Sequence, residues 1–396
     1  MKNMKKPDSS ASMMADVVQL RRERLVTTPD MYENSPGQAE GDLAIKDVKG
    51  WTLREPVSKR AYTVIKIQTG SGLVGYGECA QLSQAEFAEA KNIITGVPVT
   101  SFEIIAPKLA MYPTARAALN IAMLDVVGKV TKAPVFQVLG GPTRYKARVV
   151  TPIKGDSDQE LIESMNRAKA AGYMAFMVPM PATANPNQGQ AYVLAAKKRL
   201  ESLRAAGGEN MDFVLDGENR LTPGDAQMIS AAIESFHPLW FNEPCPAINI
   251  GAFKKLADEN VTPIGVGRYM TEGSDIQNLL REDAVDIIRP DIGMNGISQI
   301  RRMAAIAETY YIAVGPTHYG GPIGTAAALH LAAAIPNFFI QQIPFPEAEA
   351  DRLMRTELTI APVEVINEGF AELLTGPGLG ISVNEKSLEK YKEVSL

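Results

Sequence analysis

Cysteine is almost missing from this chain: Cys79 and Cys245 are the two thiols in 396 residues. Two cysteines cannot build a disulfide framework, and this pair lacks metal-knuckle spacing, so both read as buried thiols in a reducing compartment. Histidine is scarce as well, with 3 residues, His237, His318 and His330. Positive charge is not in excess: Lys+Arg 40 against Asp+Glu 45 gives a net charge of -5, which leaves nothing to neutralise a nucleic-acid backbone. No apolar run approaches the roughly 20 residues that span a bilayer, and the start has no apolar signal-like core. The chain therefore reads as a soluble, cytoplasmic protein with no membrane or nucleic-acid partner, unless a leader was removed ahead of residue 1.

What remains is ordinary globular composition, 45% hydrophobic and 21% charged, in a chain long enough for two domains or one barrel with an accessory. Residues 1–50 read as a polar tail and capping loop, with Pro29, Pro36, Gly37 and Gly41 among charged residues. Tyr62–Thr69, the turn Gly70-Ser-Gly72 and Leu73–Gly77 predict a hairpin. Helical periodicity follows over Gln84–Ile94, Phe102–Met111 and Thr114–Val130. These make a small α+β unit over 51–145.

From Arg148 onward short β-branched or aromatic runs alternate with amphipathic stretches. The predicted strands are Arg148–Ile153, Ala175–Val178, Asp212–Asp216, Leu239–Glu243, Pro263–Val266, Val285–Arg289, Ile312–Gly315 and Phe338–Gln342. Eight equal strand–helix units suit a closed (β/α)8-type barrel over 146–358 better than an open doubly wound sheet. The remaining residues, 359–396, read as a C-terminal return that completes the α+β capping domain.

Barrel chemistry gathers at the C-terminal ends of the strands. There stand Lys154, Met177 and Pro179, Asp216 with Glu218, Asn242-Glu243, Arg268, Asp291, Thr317-His318 and Gln342. The block Thr114-Ala-Arg-Ala-Ala-Leu-Asn-Ile-Ala-Met-Leu-Asp-Val-Val-Gly-Lys129, followed by Pro134–Gly141, resembles the cap–barrel junction of the enolase superfamily, in particular its mandelate racemase and acid-sugar dehydratase group. Gly75-Tyr-Gly-Glu78, Arg289-Pro-Asp-Ile-Gly-Met-Asn-Gly296 and Gly321-Pro-Ile323 are similar to further blocks of that group. The resemblance implies abstraction of a proton α to a carboxylate, Mg2+ held by three carboxylates, basic residues on the second, sixth or seventh strand, and a homo-oligomer. It also places Glu78 where the family closes over substrate.

Carried over residue by residue, the resemblance fails at most chemical positions. The metal ligands fall on Asp216, Asn242 and Arg268, and an arginine cannot ligate Mg2+. The second-strand bases fall on Met177 and Pro179, the seventh-strand base on Thr317, and the eighth-strand acid on Gln342. A one-residue shift would bring Glu243 or His318 into the family positions, but no shift rescues Arg268 or Met177. The expectation is a barrel with no metal and no other cofactor, in which Arg268 fills the metal's place and pairs with Asp216 or Glu243. Lys154, Asp216, Glu218, Glu243, Arg268 and Gln342 would then hold a small hydroxy-carboxylate or sugar acid. Two other readings compete: an active dehydratase or isomerase working through His318 and Asp291, and a non-catalytic scaffold. His237 and His330 read as structural, and the methionines as core filler.

Overall fold

The computed structural model describes residues 43–182, 189–247 and 250–396. The tail before Leu43 lies outside the described residues. The capping sheet is built from β1 (Ile45–Arg54), β2 (Ala61–Thr69) and β3 (Val74–Ala80), and the C-terminal strand Lys392–Ser395 adds to β1 at the other edge. Thus the predicted hairpin and the predicted C-terminal return are both present. β1 starts inside the stretch read as irregular: Ile45 and Val48 are buried, but a register shift between Ile45 and Asp47 breaks the alternation. The charges of Lys46, Asp47 and Lys49 then conceal the strand.

Helix α1 (Gln84–Ile94) opens on a capping box between Ser83 and Glu86. The helix read over Phe102–Met111 shrinks to one turn, Phe102–Ile105, followed by turns, because Pro107 supplies no amide to continue the ladder. Helix α2 (Pro113–Thr131) carries the junction block and is buried nearly all round. Two of its polar residues explain why. Asn120 donates to Ser298 Oγ (2.7 Å) and accepts from the Ser298 amide (2.9 Å). Asp125 accepts from the amides of Tyr76 (3.0 Å) and Leu379 (2.9 Å) and from Lys129 Nζ (2.7 Å). One helix thereby ties the cap sheet, the barrel and the C-terminal return together. At Gly77 any Cβ would strike the Ala118 carbonyl oxygen of α2.

The barrel comprises β4 (Lys146–Pro152), β5 (Ala175–Pro179), β6 (Asp212–Asp216), β7 (Phe241–Asn242), β8 (Ile264–Val266), β9 (Ile287–Ile288), β10 (Ala313–Val314) and β11 (Gln341–Gln342). Neighbours from β4 to β10 pair in parallel; β11 pairs with β4 (Gln341 opposite Val149) and meets β10 through the Val314–Phe338 bridge, which closes the ring. Every predicted strand is present, several of them trimmed. Period-two alternation then fixes what faces inward. Val150, Ala175, Met177, Val214, Trp240, Ile287 and Ile340 form the inner core, so Asp216, Asn242, Arg289 and Gln342, each two residues from one of these, continue the same faces toward the mouth. No described helix is long and apolar enough to cross a membrane.

Replacing Gly77 by Ala is expected to lower stability by about 2 kcal/mol or more, since the backbone carbonyl it meets cannot move aside cheaply. Urea denaturation measures this, and a change below about 0.5 kcal/mol contradicts the packing described.

Candidate active site at the barrel mouth

The register question is settled by two hydrogen bonds. Thr317 Oγ1 donates to Asp291 Oδ2 at 3.0 Å, and Asn242 Nδ2 donates to Asp216 Oδ1 at 2.9 Å. Hence Thr317 and Asn242 occupy the inward positions, and His318 and Glu243 do not. The expected His318–Asp291 pair does not form: the His318 imidazole turns to the far side of its strand, where Nε2 bonds the Gly321 carbonyl at 2.8 Å. Burial pushes that imidazole down to about 4. Asp291, buried and helix-capping, also accepts from the Gly293 amide (2.9 Å); burial pushes its carboxyl up to about 6 against those bonds.

Glu243 also leaves the mouth. It takes a left-handed backbone (φ 41), and its Oε1 accepts from the amides of Gly267 and Arg268, each at 2.8 Å. Burial raises its pKa. It therefore braces the loop that carries Arg268, a role the sequence reading did not give it. Glu218 is exposed and paired with Arg220, and Lys154 is exposed in a surface hollow with Asp156, Glu160, Glu163 and Arg167. The structure brings neither to the inward set. Gln342 does belong there: its Oε1 accepts from Arg289 Nη2 at 2.9 Å and its Nε2 donates to the His318 carbonyl at 3.2 Å.

Arg268 departs from the expected ion pair. No carboxylate oxygen among the described residues lies within 4 Å of its guanidinium; instead its Cζ sits 4.0 Å from the Tyr319 ring centroid and 5.2 Å from that of Tyr269. Burial lowers its pKa, but Tyr319, Tyr269, Asp216 and Asp291 outweigh this and raise it overall. A guanidinium that lies against an aromatic ring and has no carboxylate partner keeps N–H donors for an anion.

Three residues of this centre escaped the sequence reading. Trp240 Nε1 donates to Asn242 Oδ1 at 3.0 Å. Arg289, fully buried, lies with its Cζ 4.5 Å from the Trp240 ring, and burial brings it down to about 10. Tyr319 reaches Gln342, and its ring lies against the Arg268 guanidinium. Each stands two residues from a position already singled out: Trp240 from Asn242, Arg289 from Asp291, Tyr319 from Thr317. The period-two count was the available signal.

The fit to Mg2+ follows from the donors. An indole N–H only donates, so Asn242 Oδ1 must face Trp240 and its NH2 must face Asp216. Asp216 Oδ1 already accepts that NH2 and the Glu218 amide at 3.1 Å. The third position is a guanidinium. One carboxylate, one inward-facing NH2 and one arginine do not fit a hard dication that requires oxygen ligands.

A closed (β/α)8 barrel under an α+β cap, with its polar groups gathered at the C-terminal ends of the strands, defines the class of the fold. Residues 160–387 match the family model described as Enolase C-terminal domain-like, and residues 44–140 match the Mandelate racemase / muconate lactonizing enzyme N-terminal domain. The chain belongs to the enolase superfamily. It is 26% identical over 376 residues to a D-galactonate dehydratase family member of Streptomyces bingchenggensis, covering 84% of this chain and 90% of that one. It is equally 26% identical over 337 residues to a D-galactonate dehydratase of Verminephrobacter eiseniae, covering 81% and 88%. Among solved structures, a mandelate racemase/muconate lactonizing enzyme-like protein from Roseovarius sp. TM1035 superposes with TM-score 0.79 at 25% identity, over 89% of this chain and 96% of that one. A putative galactarate dehydratase from Agrobacterium radiobacter, solved with sodium and L-malate, gives 0.80 at 22%, over 89% and 96%.

Because the folded pKa of Asp291 is raised, it binds its proton more tightly in the fold. Its stabilising contribution is present below about pH 4 and lost as pH rises through about 6. Replacing Thr317 by Val removes a donor to the carboxylate and extends that loss above pH 6. Urea midpoints of wild type and T317V at pH 5 and 7 check this, with the variant showing the larger drop between the two; equal drops contradict it.

Proposed function

We propose that the barrel mouth binds a small hydroxy-carboxylate or sugar acid without a divalent metal. The ligand's carboxylate takes the free edge of Arg268, and its hydroxyls take Asp216 and the Gln342–Tyr319 pair. The observation that carries the reading is Arg268 itself: a half-buried guanidinium with its Cζ 4.0 Å from the Tyr319 ring centroid, near Asp216 and Asp291 yet ion-paired to neither. A protein that used arginine only to repair a dead site would be expected to neutralise it with a neighbouring carboxylate. The D-galactonate dehydratase relatives support a sugar acid as ligand class. Left-handed non-glycine residues at Glu218, Asn219 and Glu243, beside Asp216 and Asn242, mark the strand ends where strain commonly serves a site.

Proton abstraction has little to work with here. Met177 and Pro179 cannot take a proton, and the Asp291 carboxyl, bonded to Thr317, stands without the imidazole that would complete a dyad. The reading is therefore of a carboxylate-binding member that has lost metal-dependent chemistry, acting as a homo-oligomer.

The test is thermal melting with D-galactonate or L-malate, each with Mg2+ or with EDTA. The expected result is stabilisation of equal size in both conditions, about 2.7 kcal/mol at a ligand concentration one hundred-fold above Kd. Arg268→Ala should abolish it. Stabilisation that requires Mg2+ returns the protein to the metal-dependent enzymes, and no response to any acid leaves the scaffold reading.

A further inference from the structure

The turn that carries Arg268 is held from several sides. Gly267 and Met270 close it through a 3.0 Å backbone bond, with Arg268 and Tyr269 between them. Glu243 grips the amides of Gly267 and Arg268 on the strand side. On the other side Asn295 Nδ2 donates to the Met270 carbonyl (3.0 Å), and Asp275 Oδ2 accepts from the amides of Thr271 and Glu272, each at 2.9 Å. Gln299 Nε2 donates to the Thr271 carbonyl and to Glu272 Oε2, each at 3.2 Å. All of these partners belong to the barrel. One more does not: Arg116 of cap helix α2, 5% exposed, places its Nη2 3.2 Å from the Thr271 carbonyl and 2.8 Å from Glu272 Oε1.

Docking of the cap does not rest on Arg116 alone. One helical turn along the same face, Asn120 makes both bonds to Ser298. Gly296, left-handed at φ 66, lets the two helices touch there, since a Cβ on it would stand 3.0 Å from the Ala117 carbonyl oxygen. Arg116 reaches past this contact to the loop of Arg268. The cap has a second hold on the same place. Glu103 pairs with Arg302, and Arg302 Nη1 donates to Gln299 Oε1 (3.0 Å), which turns the Gln299 NH2 toward the loop. The blocks Thr114–Lys129 and Arg289–Gly296, both singled out in the sequence, thus converge on one turn through Arg116 and Asn295.

We infer that Arg116 is a positioning residue for the Arg268 anion site: by holding Thr271 and Glu272 it fixes the Gly267–Met270 turn, so the mouth's affinity for an acid depends on the cap. The inference rests on the reading of Arg268 as the carboxylate contact. A long side chain binds more tightly the less freedom it loses when the ligand arrives. A turn pinned downstream presents Arg268 already against Tyr319, in the geometry an anion needs. Without Arg116, Glu272 loses that ion pair, the Thr271 carbonyl keeps only the Gln299 amide, and the turn is fixed from the barrel side alone.

Titration calorimetry with D-galactonate and L-malate on wild type, Arg116→Met, Arg116→Lys and Lys66→Met tests this. Lys66→Met breaks the 2.6 Å pair between the cap sheet and Glu385, away from the turn, and so reports general weakening of the cap. Kd should rise roughly tenfold in Arg116→Met and return to within about threefold of wild type in Arg116→Lys. It should stay unchanged in Lys66→Met, even where the melting temperature falls as far. Wild-type affinity in Arg116→Met, or an equal loss in Lys66→Met, overturns the inference. If Arg116→Met does not fold, Glu272→Gln removes the same ion pair from its more exposed side and is read by the same two outcomes. If wild type binds neither acid, the reading of Arg268 fails, and amide hydrogen exchange of the ligand-free chain judges the positioning of the turn. Exchange over 267–272 roughly tenfold faster in Arg116→Met than in wild type or Lys66→Met supports it, and equal exchange overturns it.

Discussion

The indole N–H of Trp240 sets the orientation of the Asn242 amide at the barrel mouth. It fixes the Asn242 oxygen, and so presents the Asn242 amide to Asp216 where a second carboxylate would have to face a metal. Asp216 Oδ1 then accepts two N–H donors, and Arg268 acts on the carboxylate through space, without an ion pair. Arg289 supplies a second positive charge, stacked on the same indole. Arginine–aromatic contacts therefore occupy the positions that the family likeness gave to a metal ligand and its surroundings. Such contacts need no exchangeable ligand and so give a site that is preformed.

The fold that presents this centre rests on a different set of bonds. Helix α2 reaches the barrel through Asn120 and both the cap sheet and the C-terminal return through Asp125, and glycine at 75 and 77 lets β3 lie against its backbone. β3 then delivers Glu78 to the turn after β10. The cap and the mouth are therefore mechanically continuous: the residue that the family likeness placed over substrate serves instead as a buried grip on the segment that bears Thr317 and Tyr319.

The barrel was legible in the sequence because closed parallel strands repeat at a near-constant spacing, and each predicted strand is present. β1 was hidden by a bulge, and the Phe102–Met111 helix was overcalled across Pro107, where periodicity outlived hydrogen bonding. In the site, residue identity alone shows that Arg268 is no Mg2+ ligand, but it cannot choose between Asn242 and Glu243 or between Thr317 and His318. That choice is one of register, and it depends on which neighbour faces the axis. The pairing of Arg268 was misjudged for a related reason: charge suggested a carboxylate partner, whereas the aromatic partner, Tyr319, lies on another strand and leaves no local signal.

The central claim is that the Asp216–Asn242–Arg268 centre takes a carboxylate ligand and no divalent ion. Mn2+, which accepts the same oxygen donors as Mg2+ and is visible by electron paramagnetic resonance, tests this on the wild-type protein and on Asp216→Asn. The account predicts the free-ion spectrum for both proteins at millimolar Mn2+. A bound-ion signal in wild type that disappears in Asp216→Asn would contradict it.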